Sequence, residues 1–383
     1  MLRQGVKTRL YPLINYELFQ GNNSVVLYGK IVYKIKRAYA RGTMERRGIT
    51  CGGSFIIDRI KVVDLWPEQG MLAMILEEKR ASGGCAYNVL KDLSILKAGL
   101  PLFGIGVVSD DEDGNYILED LKSHSIDTSQ MQFVEGVPTS YTDVITVKET
   151  GNRTFFYNGG ANSLLDIKNF DFSRVRSKLF HIGYILLLDT LDSRDEEYGT
   201  RMARLLKLAK ESGLKTSVDV VSESSYRFRE IVPPALLYTD YLIINEIEAG
   251  RTAGYDIRQK DGRISATMLK KTIEALVENG NSELVCIHFP EGAYACERGG
   301  EPHFVSSHSP PDGFIKGTVG AGDAFCAGML YGIHEGWDLD RMMRFANAMA
   351  CWCLADTSTS GGMKNLEDTI ELMKELPLQK SIF

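Results

Sequence analysis

The sequence predicts an α/β fold: a mostly parallel sheet with helices on both faces, plus a small β layer. Three observations predict it. Short β-branched runs alternate with amphipathic runs from about residue 48 onward, the pattern of strands joined by crossover helices. Residues 139–157 alternate instead around the turn "ETGN", which reads as a β-hairpin foreign to such a sheet. The chain has 383 residues, enough for one large α/β domain or two modest ones.

The elements follow in order. "ITCGGSFIIDRI" reads as one strand ending near Asp58. "DRIKVVDLWPEQGMLAMI" pairs with the hairpin in a small sheet of its own. "NVLKDLSILKAGL" has apolar residues at helical spacing and stops at Gly99. "PLFGIGVVSDDEDG" is a buried strand with an acidic turn, and "NYILEDLKSHSI" is a helix. "KLFHIGYILL" is another buried strand, followed by the helix "EEYGTRMARLLKLAKESG" with Gly213 as its stop. "KTSVDVV", "YLIINE" and "ELVCIHF" are short strands separated by helices, and two helices follow Asp323.

The bulk numbers exclude some classes. No run of about 18 apolar residues occurs, so no membrane span is expected. A net charge of −6 gives no footprint for nucleic acid. Residues 1–50 hold ten Lys or Arg against two Glu. Residues 1–47 read as a basic extension outside the fold, with a targeting segment and a folded addition as alternatives. The seven cysteines form no CxxC and read as buried free thiols of a cytoplasmic protein.

"GTVGAGDAF" sets Gly320, Ala321 and Gly322 directly before Asp323 and an apolar helix. Such a turn aims backbone N–H groups at one point, and the helix adds its positive end. The site would bind an anion, phosphate above all. Asp323 would stand within reach of whatever is bound there, placed to accept a proton from an attacking hydroxyl. Phosphoryl transfer needs mainly this positioning and charge stabilisation. There is no GxxxxGK[ST], so this is not a P-loop.

The stretch resembles the D-T-x-G-A-G-D signature of ribokinase-like (PfkB-type) carbohydrate kinases. "SGGCAYN" is similar to the family's G-G-x-x-x-N sugar loop, and "GGSFIID" to its first strand with a sugar-binding Asp. "NEIE" matches its N-x-x-E motif, while "GNRTFFYNGGAN" and "WPEQG" resemble segments around its lid. The resemblance covers about residues 48–375. It implies a three-layer ribokinase-like domain over 48–383, with a β lid from about 59–76 and 139–157. It implies Asp323 as general base, with Gly320, Ala321 and Gly322 as the anion hole. It implies that Asp58, Gly84 and Asn88 bind the sugar. Asn245, Glu248 and Gly292 would serve ATP, with Glu248 organising Mg²⁺ through water. A homodimer through the lid is in keeping with the family.

Two departures bear on this. Gly317 stands where the family has an Asp that helps hold a monovalent cation, so a cation there is doubtful. "HFPEGA" replaces the nucleotide loop T-x-G-x-x-G, with His288 for a hydroxyl residue and Pro290 for a glycine; Pro removes a donor and fixes φ. The rival readings are a nucleoside kinase of the same fold and a non-catalytic sugar or nucleotide sensor derived from it.

Overall fold

A computed structural model describes residues 46–223 and 225–383. "ITCGGSFIIDRI" is two strands rather than one. Strand β1 (Ile49–Gly53) lies inside a large sheet, and β2 (Ile56–Val63) belongs to a small one. The apolar run hides the break because both strands are buried at this point. The crossing is made at Gly53, where a Cβ would stand 2.0 Å from the Gly183 carbonyl oxygen. Asp58 is therefore the third residue of β2, on the small sheet.

Strands β3 (Ile75–Gly83), β6 (Tyr141–Val147) and β7 (Arg153–Asn158) complete the small sheet in the order β3-β2-β6-β7. The others are β4 (Leu102–Ser109), β5 (Asp127–Val134), β8 (Leu179–Ile185), β11 (Lys215–Val220), β12 (Tyr241–Asn245), β13 (Leu284–Phe289), β14 (Gly292–Glu297) and β15 (His303–Ser306). A two-residue ribbon, β9 (Arg194–Asp195) with β10 (Gly199–Thr200), stands apart. The large sheet runs β15-β14-β13-β12-β11-β8-β1-β4-β5. From β13 to β5 it is parallel; β14 and β15 are antiparallel at one edge. The sequence reading missed β5, β14 and β15, because the first mixes polar and apolar residues and the other two lie in a loop-like, glycine-rich stretch.

Alternation along the central strands separates two cores. Ile243, Leu284 and Cys286 face one side, with helices Cys85–Ile95, Ala321–Glu335 and Leu339–Cys353. Leu242, Ile244, Val285 and Ile287 face the other, with helices Arg201–Glu211, Phe228–Leu236 and Ala266–Asn279. Such strands, buried on both faces, need a helix layer on each side. Residues 47–383 thus form a three-layer α/β domain with an added four-stranded sheet.

All seven cysteines are free and buried. Among the described residues no helix is long and apolar enough to cross a membrane. The expectation for residues 1–47 falls outside the described residues as far as Glu45. Arg47 is hydrogen-bonded to the domain, through its N–H to Arg176 O and its guanidinium to Gly99 O.

Candidate active site

Helix Ala321–Glu335 begins from Gly320, whose φ is +85°. Side chains rarely tolerate that backbone, and a Cβ there would meet Thr359 O at 2.7 Å. The chain can thus turn sharply into the helix. The first N–H groups of a helix have no partner within it, so Ala321, Gly322 and Asp323 present donors at its positive end. Gly322 also leaves room for His288, whose ring stacks on Phe325 at 4.9 Å. Burial pushes the His288 imidazole down to about 4, so it is a neutral packing group.

Asp323 is only 4% exposed. Asn88 Nδ2 donates to its Oδ2 at 2.8 Å, and Tyr184 OH donates to its Oδ1 at 2.7 Å. Burial pushes the carboxyl up to about 6, against the opposing pull of hydrogen bonds from Asn88, Tyr184 and Cys85. A carboxyl raised this far is ionised near neutral pH yet more basic than a free carboxylate.

Asn88 projects from helix Cys85–Ile95, which starts at the N-cap Gly84. Asp58 comes from β2 and is pushed up to about 7, first by burial and then by the charge of Asp323. Gly83, rather than Gly84, faces this carboxyl: a Cβ on Gly83 would stand 2.3 Å from Asp58 Oδ2.

Asn245 and Glu248 form a capping box at the start of helix Glu246–Ala253. Asn245 Oδ1 accepts from the N–H groups of Ile247 and Glu248, and Glu248 Oε2 accepts from Asn245 N–H at 2.9 Å. The N-x-x-E spacing is thus a helix-capping spacing first. Glu248 is buried and pushed up to about 8 by desolvation. Gly292 opens β14, where a Cβ would meet Val305 O at 2.5 Å and the Phe304 ring at 2.7 Å; strand packing alone requires a glycine there.

Sequence reasoning missed three residues here. Tyr184 lies in β8, within an apolar run that gave no sign of its bond to Asp323. Asp219 lies in β11; it is buried and held well above the usual carboxylate range by desolvation, then by Glu248 and Asp323. A lone carboxylate inside "KTSVDVV" was the available signal. Arg153, at the start of β7, brings its guanidinium beside Gly317: a Cβ on Gly317 would stand 3.4 Å from Nη2. Its Nη1 is buried with no hydrogen-bond partner.

Four buried carboxylates, Asp58, Asp219, Glu248 and Asp323, are thus each raised first by burial, and the charge of Asp323 raises the other three further. Residues 46–366 match the pfkB family carbohydrate kinases. The chain belongs to this family. Its enzymes transfer a phosphoryl group to a sugar hydroxyl, so this PfkB-family chain is a sugar kinase. It is 26% identical over 297 residues to the 5-dehydro-2-deoxygluconokinase of Clostridium perfringens, covering 76% of this chain and 84% of the relative. It is 24% identical over 313 residues to mouse (Mus musculus) ketohexokinase, covering 80% and 96%. The fold matches Arabidopsis thaliana ribokinase solved with ribose and ATP, at a TM-score of 0.69 and 19% identity, over 86% of this chain and 99% of that one. A nucleoside kinase of Methanocaldococcus jannaschii matches at 0.67 and 19%, with the same coverage. The ribokinase-like fold is therefore shared by sugar and nucleoside kinases.

Proposed function

We propose that this PfkB-family kinase transfers the γ-phosphoryl group of ATP to a hydroxymethyl group of a small sugar, with Asp323 as general base. One observation carries the reading: a buried carboxylate, raised to about 6, sits in the first turn of a helix. The hydroxyl proton would pass to Asp323 as its oxygen attacks the γ-phosphorus. The N–H groups of Gly320, Ala321 and Gly322 would hold the charge gathering on the transferred group. Arg153 would add its guanidinium on the same side, which its unpartnered Nη1 supports.

Asp58, Gly84 and Asn88 are the sugar contacts in this reading, joined by Gly83 because of its approach to Asp58. Asn88 would hold Asp323 and a sugar hydroxyl together. Mg²⁺ suits the oxygen donors of Asn245 and Glu248. Mg²⁺ keeps several of its waters, so Glu248 can act through water while its own oxygens stay in the capping box. The ion would neutralise triphosphate charge. Gly292 is the least supported nucleotide contact, since packing already explains it.

The small sheet would act as a lid that excludes water from the transfer. Exposed Met71, Leu72 and Met74 in its β2–β3 loop, with Phe155 and Phe156 on the two sides of its edge strand β7, favour a homodimer through the lid. Buried free thiols fit a reducing cytoplasm.

ATP consumption with a panel of fructose, ribose, 5-dehydro-2-deoxygluconate and nucleosides tests the reading. Turnover with a sugar supports it; turnover with nucleosides alone would give the rival kinase. No turnover, with ligand still bound, would give the sensor.

A further inference from the structure

Beside Asp323 lies a set of donors that phosphoryl transfer does not use. Cys85 Sγ is 3.2 Å from His181 Nε2 and 3.8 Å from Asp219 Oδ2. Ligand atoms of Cys85, Asp219 and Asp323 all fall within 4.8 Å of one another. Donors bound tetrahedrally at about 2.0–2.3 Å from one ion stand roughly 3.3–3.8 Å apart. The Cys85–Asp219 pair meets that spacing, and His181 Nε2 touches the set through Cys85 but stands outside the 4.8 Å group, so its ring must move toward the carboxylates to complete the shell. His181 is held facing Cys85: its Nδ1 lies 3.1 Å from Ser217 Oγ. With the proton on Nδ1, the Nε2 lone pair points at the cluster. Burial keeps the ring neutral, its pKa pushed down to about 3.

We propose that Cys85, His181, Asp219 and Asp323 form a site for a thiophilic divalent ion of the zinc class, and that the bound ion blocks turnover by occupying Asp323. The blocking rests on Asp323 being the base; the binding does not. A metal–sulfur bond forms as the Cys85 S–H bond breaks, and the proton passes to the buffer. Affinity therefore rises with pH. A thiol and an imidazole select a borderline or soft ion, whereas Mg²⁺ demands oxygen ligands. Saturating Mg²⁺ does not fill the site.

Co²⁺ alone, added to the full chain, tests the binding. The expected result is a thiolate-to-cobalt charge-transfer band that Zn²⁺ abolishes and that Cys85→Ser lacks. Ser217→Ala keeps all four donors but frees the His181 ring, and should weaken the ion by about tenfold or more. In parallel, Zn²⁺ should inhibit the kinase in competition with the sugar, be reversed by a chelator and be unrelieved by more Mg²⁺. Absence of the band, or equal Zn²⁺ affinity in the Ser217→Ala chain, would overturn the site. An intact band with undiminished turnover would instead sink Asp323 as the base and leave the ion site standing.

Discussion

Asn88 donates through Nδ2 to Asp323 Oδ2 at 2.8 Å, which ties the glycine loop after β3 to the first turn of the helix Ala321–Glu335. The two motifs lie 235 residues apart in the chain. A sugar held by the loop is therefore held against the proposed base. Loss of this bond would loosen the sugar and the base together, so Asn88→Ala should raise KM and lower kcat at once. Steady-state kinetics with the best sugar checks it.

Asp323→Asn should cut kcat by about 10²–10⁴-fold, the usual contribution of a general base. It should also raise stability at pH 8. Burial moves the carboxyl from 3.8 to about 6, so the folded chain keeps a proton that the unfolded chain has already released. Stability falls wherever the folded state binds more protons. The cost of this group is absent below about pH 4, grows between about pH 4 and 6, and is complete above. Asparagine removes it. Thermal melting of both proteins from pH 4 to 8 should show the curves diverging as pH rises. Parallel curves, or near-normal kcat, would contradict the assignment.

Tyr184→Phe removes a hydrogen bond that favours the charged form of Asp323. The pKa of the base should then rise. In the wild type kcat/KM should fall as pH drops below about 6, because the protonated carboxyl cannot accept the sugar proton. In the variant that acid limb should move to higher pH. A pH–rate profile with an unmoved limb would show that Tyr184 does not bear on the base.

The parallel centre of the large sheet and its helices were legible because hydrophobic period and glycine stops act locally, while its edge strands β5, β14 and β15 lack that pattern. Asp323 was legible because three small residues before one carboxylate have few structural uses. Asp219 and Tyr184 were not. Each sits singly in a buried strand, and their meeting with Asp323 depends on strand order, which no local pattern contains. The division at Gly53 was hidden for a related reason: both sides of it are apolar. "NEIE" was read for its chemistry, yet its spacing is also that of a capping box, and in the fold it is one.

Asn245→Ala should therefore change two things at once. Removing an N-cap side chain costs about 0.5–2 kcal/mol, and here it also leaves Glu248 without the donor from Asn245 Nδ2 at 2.6 Å. Chemical denaturation should show a loss in that range. If the pair also serves Mg²⁺, the concentration of Mg²⁺ needed for half-maximal rate should rise. A stability loss with an unchanged Mg²⁺ requirement would leave the motif as a cap alone.

Activity should depend only weakly on potassium, and Gly317→Asp should not create such dependence. The family's carboxylate is missing at Gly317, and the fold has closed over the position. A Cβ there would stand 2.8 Å from Asp356 O and 3.0 Å from Thr357 Cα, backbone atoms that cannot yield as a flexible side-chain tip would. An aspartate would have to push the 356–357 segment away, and this segment leads to Thr359, against which Gly320 packs. Gly317→Asp should thus disturb the proposed anion hole and lower the rate, and Gly317→Ala should do so in part. Positive charge beside Gly317 comes instead from Arg153, so Arg153→Gln should cost about 10²–10³-fold in kcat, the range for removing one donor to a developing anion. Rates in potassium and in a bulky organic cation should differ by less than about tenfold, or 1.4 kcal/mol. A larger drop without potassium, together with a mild Arg153→Gln effect, would mean that a monovalent ion rather than the guanidinium supports the loop.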